Sequence, residues 1–183
     1  LNVPGRHNIA NALAAIAFAT EAGIDTDTII RGLQAFGGTA RRFEYKGKLG
    51  GITIIDDYAH HPTEIAATLT AARNYPHGRI ICVFQPHTYT RTKAFWNQFS
   101  DALTLADVVV LADVYAARET DTLGIHCEDL ADDIRRKGTE SYYFPSFDAI
   151  ENFLLETCTD NDLILTMGAG DIYQVGEHLL GRR

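Results

Sequence analysis

The sequence predicts an α/β fold: a doubly wound, mostly parallel sheet flanked by helices and preceded by a short helical segment. Two observations predict it. From about residue 50, short apolar runs alternate repeatedly with stretches of helical period. Strands and helices alternating in this way form a parallel sheet covered on both faces, whose strands read as largely apolar runs. The first 38 residues lack such runs and read as helix alone.

In chain order, Asn8–Gly23 is an Ala-rich helix with Ile9, Leu13 and Ile16 on one side. Thr26–Phe36 is a second helix, and Gly37-Gly38 breaks the chain. Gly51–Ile55 reads as a buried strand. Pro62–Tyr75 reads as a helix, with Pro62 at a permitted first-turn position and Ile65, Leu69 and Ala72 as its stripe. Arg79–Phe84 is the next strand. A helix follows from about Arg91 to Ala106, with Phe95, Phe99 and Leu103 on one face, and then the strand Val108–Ala112. The next helix carries Glu128 and Asp129 in its first turn, Arg135–Lys137 in its last and Gly138 as its stop. These charges complement the helix dipole. Ser141–Phe144 is a strand, and Ser146 caps a helix with Ile150, Phe153 and Leu154 inward. Leu163–Thr166 is the last strand and Asp171–Leu180 the closing helix. The chain thus divides into a helical piece, Leu1–Gly38, and an α/β domain, Thr39–Arg183, with Gly37-Gly38 as the expected hinge.

The composition suits this reading. The chain has 183 residues, 46% of them hydrophobic, which is ordinary for a globular domain carrying part of a second. Its 16 basic against 24 acidic residues leave a net charge of −8, which argues against a nucleic-acid-binding surface. No apolar run approaches the roughly 18–20 residues of a membrane span. Cys82, Cys127 and Cys158 are odd in number and lack metal-ligand spacing, so a reduced, cytoplasmic setting is expected. The start at Leu1, directly on a motif, reads as an excised fragment.

The functional clue is the position of the polar residues. In open parallel sheets, ligands bind outside the carboxyl ends of the strands. Here Asp56–Pro62, Gln85–Thr92, Asp113–Glu119 and Thr166–Asp171 each follow a strand directly. Each cluster is open to a structural reading as well. Asp56 suits a turn cap. Asp57 suits a ribose diol. His60 and His61 suit either structural bonds or, with the two aspartates, a metal site of O and N ligands. Arg91 sits near a helix start, where the dipole disfavours a cation. A bound carboxylate or phosphate would explain it, and so would a salt bridge to the acidic cluster. Gly168-Ala169-Gly170 permits close backbone approach to an anion, although glycines also serve tight strand–helix turns. Arg118 and Glu119 read as solvated surface contacts. In the helical piece His7, Asn8 and Asn11 share a helix start, and the two amides, one turn apart, can face one adenine edge. Arg41-Arg42 lies between the two parts. It suits either a nucleotide contact or a surface charge pair.

Five segments together resemble the bacterial Mur ligases: PGRHNIANALAA at Pro4–Ala15, ARRFE at Ala40–Glu44, IDDYAHHPTE at Ile55–Glu64, FQPHTYTRT at Phe84–Thr92 and TMGAGDI at Thr166–Ile172. The resemblance covers nearly the whole chain. It is nearest to the branch that adds L-alanine to UDP-N-acetylmuramate in peptidoglycan biosynthesis. It implies a Rossmann-like C-terminal domain over 39–183, with 1–38 as the end of a central ATPase domain. It also implies an ATP-dependent ligase that phosphorylates the substrate carboxylate and lets the amino group of alanine attack the acyl phosphate. By resemblance His7, Asn8, Asn11, Arg42 and Asp57 bind ATP, and Tyr58, His60, His87 and Arg91 form the alanine pocket, with Arg91 anchoring the carboxylate. Gly168 and Gly170 lie near the reacting groups. The phosphate-cradle pattern GxxxxGK[ST] is absent from these residues. Its Lys and the Mg²⁺ ligands are therefore expected outside this chain, which alone is expected to be inactive. No catalytic or metal-binding residue is assigned within it. At Thr88 the sequence departs from the branch, which usually carries Arg, so no role is carried over to that side chain.

Three rivals remain open. One is a murein-peptide ligase of the same family. Another is a metal-dependent phosphoesterase using Asp56, Asp57, His60, His61 and Asp113. The third is a non-catalytic nucleotide-binding module, although no GxGxxG follows the first strand.

Overall fold

The computed structural model describes residues 1–182, and the side chains of Arg6 and His7 lie outside the described residues. The expectation for His7 therefore falls outside them too. The strands are β1 (Glu44–Leu49), β2 (Ile52–Asp57), β3 (Ile80–Phe84), β4 (Val108–Leu111), β5 (Glu140–Tyr143) and β6 (Leu163–Met167). They form one sheet in the order β1-β2-β6-β3-β4-β5. From β2 to β5 across the sheet, every pairing is parallel, as expected from the apolar runs.

The strand missed in the sequence is β1, which pairs antiparallel with β2 at the sheet edge. Its residues, EYKGKL, hold no apolar run because no face of it is fully buried. It is joined to β2 by the two-residue turn Gly50-Gly51, with Gly50 at φ +57°. A Gly-Gly pair between two strand-length segments was its signal.

Eight helices accompany the sheet among the described residues: α1 (Arg6–Glu21), α2 (Thr26–Ala35), α3 (Pro62–Ala72), α4 (Tyr89–Ala94), α5 (Trp96–Leu103), α6 (Cys127–Arg136), α7 (Phe147–Thr157) and α8 (Tyr173–Leu179). Successive strand residues point to opposite faces and build two cores. On one face Ile55, Cys82, Phe84, Val109 and Leu165 pack against Ile65 and Leu69 of α3, Phe99 of α5 and Leu130 and Ile134 of α6. On the other, Ile54, Val83, Val110 and Ile164 pack against Ile150 and Leu154 of α7 and Val175 of α8. Each such aliphatic or Phe side chain stabilises the fold by about 1.5–3 kcal/mol relative to exposure.

Several boundaries differ from the sequence reading. The single helix expected over Arg91–Ala106 is two, because Phe95 leaves helical geometry at φ −115°, ψ 22°. The first of these helices starts earlier, at Tyr89. α3 stops at Ala72, and Asn74 and Tyr75 close a turn on the carbonyls of Ala71 and Ala72. α8 begins at Tyr173, because Gly168–Ile172 forms a loop across the strand ends. β2 extends through both aspartates, so Asp56 and Asp57 are strand residues, in register with Thr166 and Met167.

Pro62 in the first turn of α3, the Ser146 cap and the α6 end charges follow the sequence, whereas the cap at His61 was not read from it. The His61 imidazole accepts from the Thr63 amide while Glu64 reaches back, a capping box with Pro62 at the first turn. Ser146 accepts from the Ala149 amide, and α6 keeps acids in its first turn and arginines in its last. In the helical piece, of the stripe read at Ile9, Leu13 and Ile16 the first two face outward, with exposures of 55% and 60%, Ile16 is half-buried, and Ala12 is the buried residue of α1 among the described ones. No helix among the described residues is long and apolar enough to cross a membrane.

Candidate functional site

A cavity of about 810 Å³ separates α1 and α2 from α3 and the end of β2. That volume lies within the range of small-molecule sites. It collects Asn8, Asn11, Arg42 and Asp57, four of the residues the resemblance assigns to ATP. Most of the remaining wall is apolar and includes Ala12, Leu33, Phe36, Phe43 and Ala71. Asn8 is not the cap of α1, which starts after Gly5. Its amide donates instead to the Pro4 carbonyl at 2.6 Å, and Asn11 donates to the Asn8 side-chain oxygen at 3.4 Å. Asp57 is buried at the end of β2. Its Oδ1 accepts from the Ala59 amide at 2.7 Å and its Oδ2 from the Phe43 amide at 2.8 Å. Burial pushes its carboxyl above the usual range, and these amides and the Arg42 charge oppose that shift. Asp57 therefore grips the segment between the helical piece and the sheet as well as lining the cavity.

One peptide further on, a second cluster opens at the carboxyl ends of β2, β3 and β4. The rings of Tyr58, His60, His87 and Tyr115 form a row, with successive centroids 5.5, 5.8 and 5.6 Å apart. His60 Nδ1 lies 3.0 Å from the Tyr58 carbonyl and 3.4 Å from Glu64. His87 Nδ1 is buried with no hydrogen-bond partner among the described residues. Burial first, then the neighbouring Arg91 and His60 charges, hold His87 below the usual histidine range. Arg91, on α4, makes no ion pair among the described residues, and its Nη1 is buried without a partner. The salt bridge to the acidic cluster is thus not formed. A buried donor without an acceptor carries its full desolvation penalty until an acceptor meets it, and charged acceptors such as carboxylates meet a guanidinium best.

Tyr115 was not picked out by sequence reasoning. It lies over His87 because its amide donates to the Pro86 carbonyl at 2.8 Å and its carbonyl accepts from the Thr88 amide at 2.9 Å. Its one signal was membership of the polar cluster after β4. Glu119, expected to be a solvated contact, instead accepts from the amides of Tyr89 (2.5 Å) and Thr90 (3.1 Å) and from the Thr90 hydroxyl. It caps the helix that carries Arg91, and four orphan amides at a helix start explain the attraction. Arg118 is exposed.

The glycines of the 168–170 loop have a steric reason. A Cβ on Gly168 (φ +151°) would sit 2.7 Å from the Gln85 carbonyl oxygen, and one on Gly170 would sit 2.7 Å from Tyr115 Cγ. The Gly168 amide bonds the Asp57 carbonyl and the Asp171 amide bonds Gln85 Oε1, so those two donors are committed within the protein. Asp56, read as a turn cap, is instead fully buried between Arg41 and Thr166. The five residues of the phosphoesterase reading do not converge. Asp113 accepts from the Tyr143 hydroxyl, His61 caps α3, and among the described residues no three His, Cys, Asp or Glu side chains form a metal-binding group.

Residues 41–170 match the family model "Mur ligase, glutamate ligase domain". The chain belongs to the Mur ligase family. A curated relative, the UDP-N-acetylmuramate–L-alanine ligase of Agathobacter rectalis, is 61% identical over 180 residues, 98% of this chain and 39% of that protein. This Mur ligase chain therefore spans about two-fifths of the length of that relative. The solved UDP-N-acetylmuramate–alanine ligase of Thermotoga maritima superposes with a TM-score of 0.83 at 32% identity, over 100% of this chain and 39% of that one. A murein peptide ligase from Psychrobacter arcticus gives 0.71 at 27%, over 97% and 37%.

Proposed function

We propose that this Mur ligase chain is part of a cytoplasmic, ATP-dependent ligase that joins L-alanine to UDP-N-acetylmuramate through an acyl phosphate. In this reading 1–38 closes a central ATPase domain and 39–183 is the C-terminal domain. The observation that carries it is adjacency. A nucleotide-sized cavity lined by Asn8, Asn11, Arg42 and Asp57 is joined, through the Asp57-Tyr58 peptide, to a cluster whose Arg91 Nη1 has no hydrogen-bond partner among the described residues. The first holds adenosine: the two amides take the base and the Asp57 side takes the ribose. The second holds the alanine carboxylate on Arg91, with Tyr58, His60 and His87 around it. Arranging two reactants side by side is most of what phosphoryl and acyl transfer ask of a protein. The 61% identity to an L-alanine ligase supports that amino acid over a peptide. The outward apolar face of α1 supports its assignment to a neighbouring domain, since surfaces of this kind mark interfaces. The Mg²⁺ that accompanies ATP would be held mainly by residues of the full-length enzyme outside this chain.

The test is ATP-dependent ligation by the full-length polypeptide that carries this segment. L-alanine and UDP-N-acetylmuramate should be consumed with one ADP and one phosphate released, and this chain alone should do nothing. Consumption of a tripeptide in place of alanine would move the reading to the murein-peptide ligases. Absence of any ATP-dependent coupling would end it.

A further inference from the structure

Arg41 was not among the residues assigned to either pocket, and it is the most densely bonded side chain between them. Its Nε donates to Asp56 Oδ2 at 3.0 Å, one Nη to the Gly170 carbonyl at 3.0 Å and the other to the Gly168 carbonyl at 2.8 Å. Its guanidinium carbon lies 4.9 Å from the Tyr58 ring centroid and 4.6 Å from that of Tyr173. Its backbone is tied as tightly. The Arg41 carbonyl accepts from the Tyr58 amide at 2.7 Å, and the Arg41 amide donates to Glu44 at 2.8 Å. The residue holds φ +58°, a strained value for a side-chain-bearing residue, so the contacts over-determine its position. Asp56, 0% exposed, has Thr166 as its other side-chain partner at 2.8 Å.

We propose that Arg41 is a positioning residue that locks Tyr58 and the Gly168–Gly170 loop into the geometry the amino-acid pocket needs. Three donors in one plane reach three acceptors on two segments, which a planar fork does and an ammonium does not. Arg42, the neighbouring residue, lines the nucleotide cavity. The same linker thus presents one arginine to each side of the site. The inference rests on the proposed function for the identity of the pocket's ligand, but the clamp itself is defined by geometry.

The test uses the full-length ligase with Arg41→Lys, which keeps a charge beside Asp56 and loses the fork. In kinetics, KM for L-alanine is expected to rise about tenfold or more, KM for ATP to change less than about twofold, and kcat to fall by less than KM rises. Amide exchange is measured in parallel. Tyr58, Gly168 and Asp171 should exchange about tenfold faster while α3 is unchanged. Exchange requires no turnover. A wild type that ligates no alanine would therefore count against the proposed function alone, while the exchange result still decides the clamp. Unchanged exchange at those amides, or equal rises in both KM values, overturns the inference. If Arg41→Lys does not fold, Tyr173→Leu removes one ring from the guanidinium. It should raise KM for alanine about threefold, and an unaltered KM there overturns the inference too.

Discussion

Arg91→Met separates what the fold needs from what the ligand needs. Met keeps an unbranched apolar stem of similar reach but removes the charge and the orphaned N–H. Among the described residues that donor is buried with no partner. A buried unsatisfied donor costs about 1–3 kcal/mol, and Arg91 is only half-buried, so relief of about 0.5–1.5 kcal/mol is the expectation. For a domain of this size that is a rise in Tm of roughly 1–6 °C. Amino-acid binding should move the other way. A charge-assisted bond to a carboxylate is worth about 1.5–3 kcal/mol, which corresponds to about a 10- to 150-fold increase in KM for L-alanine. The assays are thermal melts of this chain and its variant, and steady-state kinetics of the full-length ligase. A variant that melts several degrees lower, or one whose alanine KM is unaltered, would show that Arg91 serves the fold and refute the argument.

Three further outcomes are expected. Gly170→Ala should destabilise the chain by about 1–3 kcal/mol, because its Cβ would overlap the Tyr115 ring. Adding Tyr115→Ala should recover part of that loss in a double-mutant cycle read by urea unfolding. Asp162 is buried, which opposes its ionisation, but hydrogen bonds from Arg79 and from the Thr159 and Arg79 amides outweigh burial and hold it below the usual carboxylate range. Its folded value is depressed, so its stabilisation is complete above the unfolded value of about 3.9 and is lost as pH falls through the folded one. Asp162→Asn should therefore unfold more readily than wild type at pH 7, and urea melts should show the gap closing below about pH 4. Glu119→Gln should speed exchange of the Tyr89 and Thr90 amides and raise the alanine KM with little change in that for ATP. Equal effects on both substrates would disprove a role confined to α4.

The parts legible in the sequence share a physical character. Strands such as Ile80–Phe84 and Val108–Leu111 are apolar on every residue because helices cover both faces, and that pattern needs no knowledge of neighbours. The cap at Ser146 is a local hydrogen bond within four residues. β1 was missed because an edge strand with mixed polarity carries no burial signal of its own. Phe95 was read inside one helix because its apolar spacing fits. The break there is backbone geometry that periodicity does not encode. Glu119 looked like a surface charge because its partners lie about thirty residues earlier.

The sequence by itself determined the fold class, the order of the five parallel strands along the chain and the side of the sheet on which polar residues gather. Each of these follows from hydrophobic period and from chain connectivity. Only the tertiary structure decided what the polar residues do once there. It placed Asn8, Asn11, Arg42 and Asp57 on one cavity, left Arg91 Nη1 without a partner among the described residues and gave Arg41, its sequence neighbour's apparent twin, to Asp56 and two glycine carbonyls instead. The reason is that a hydrogen bond is satisfied by whatever acceptor the fold brings within about 3 Å, and for Arg41 those acceptors are 15 to 129 residues away along the chain.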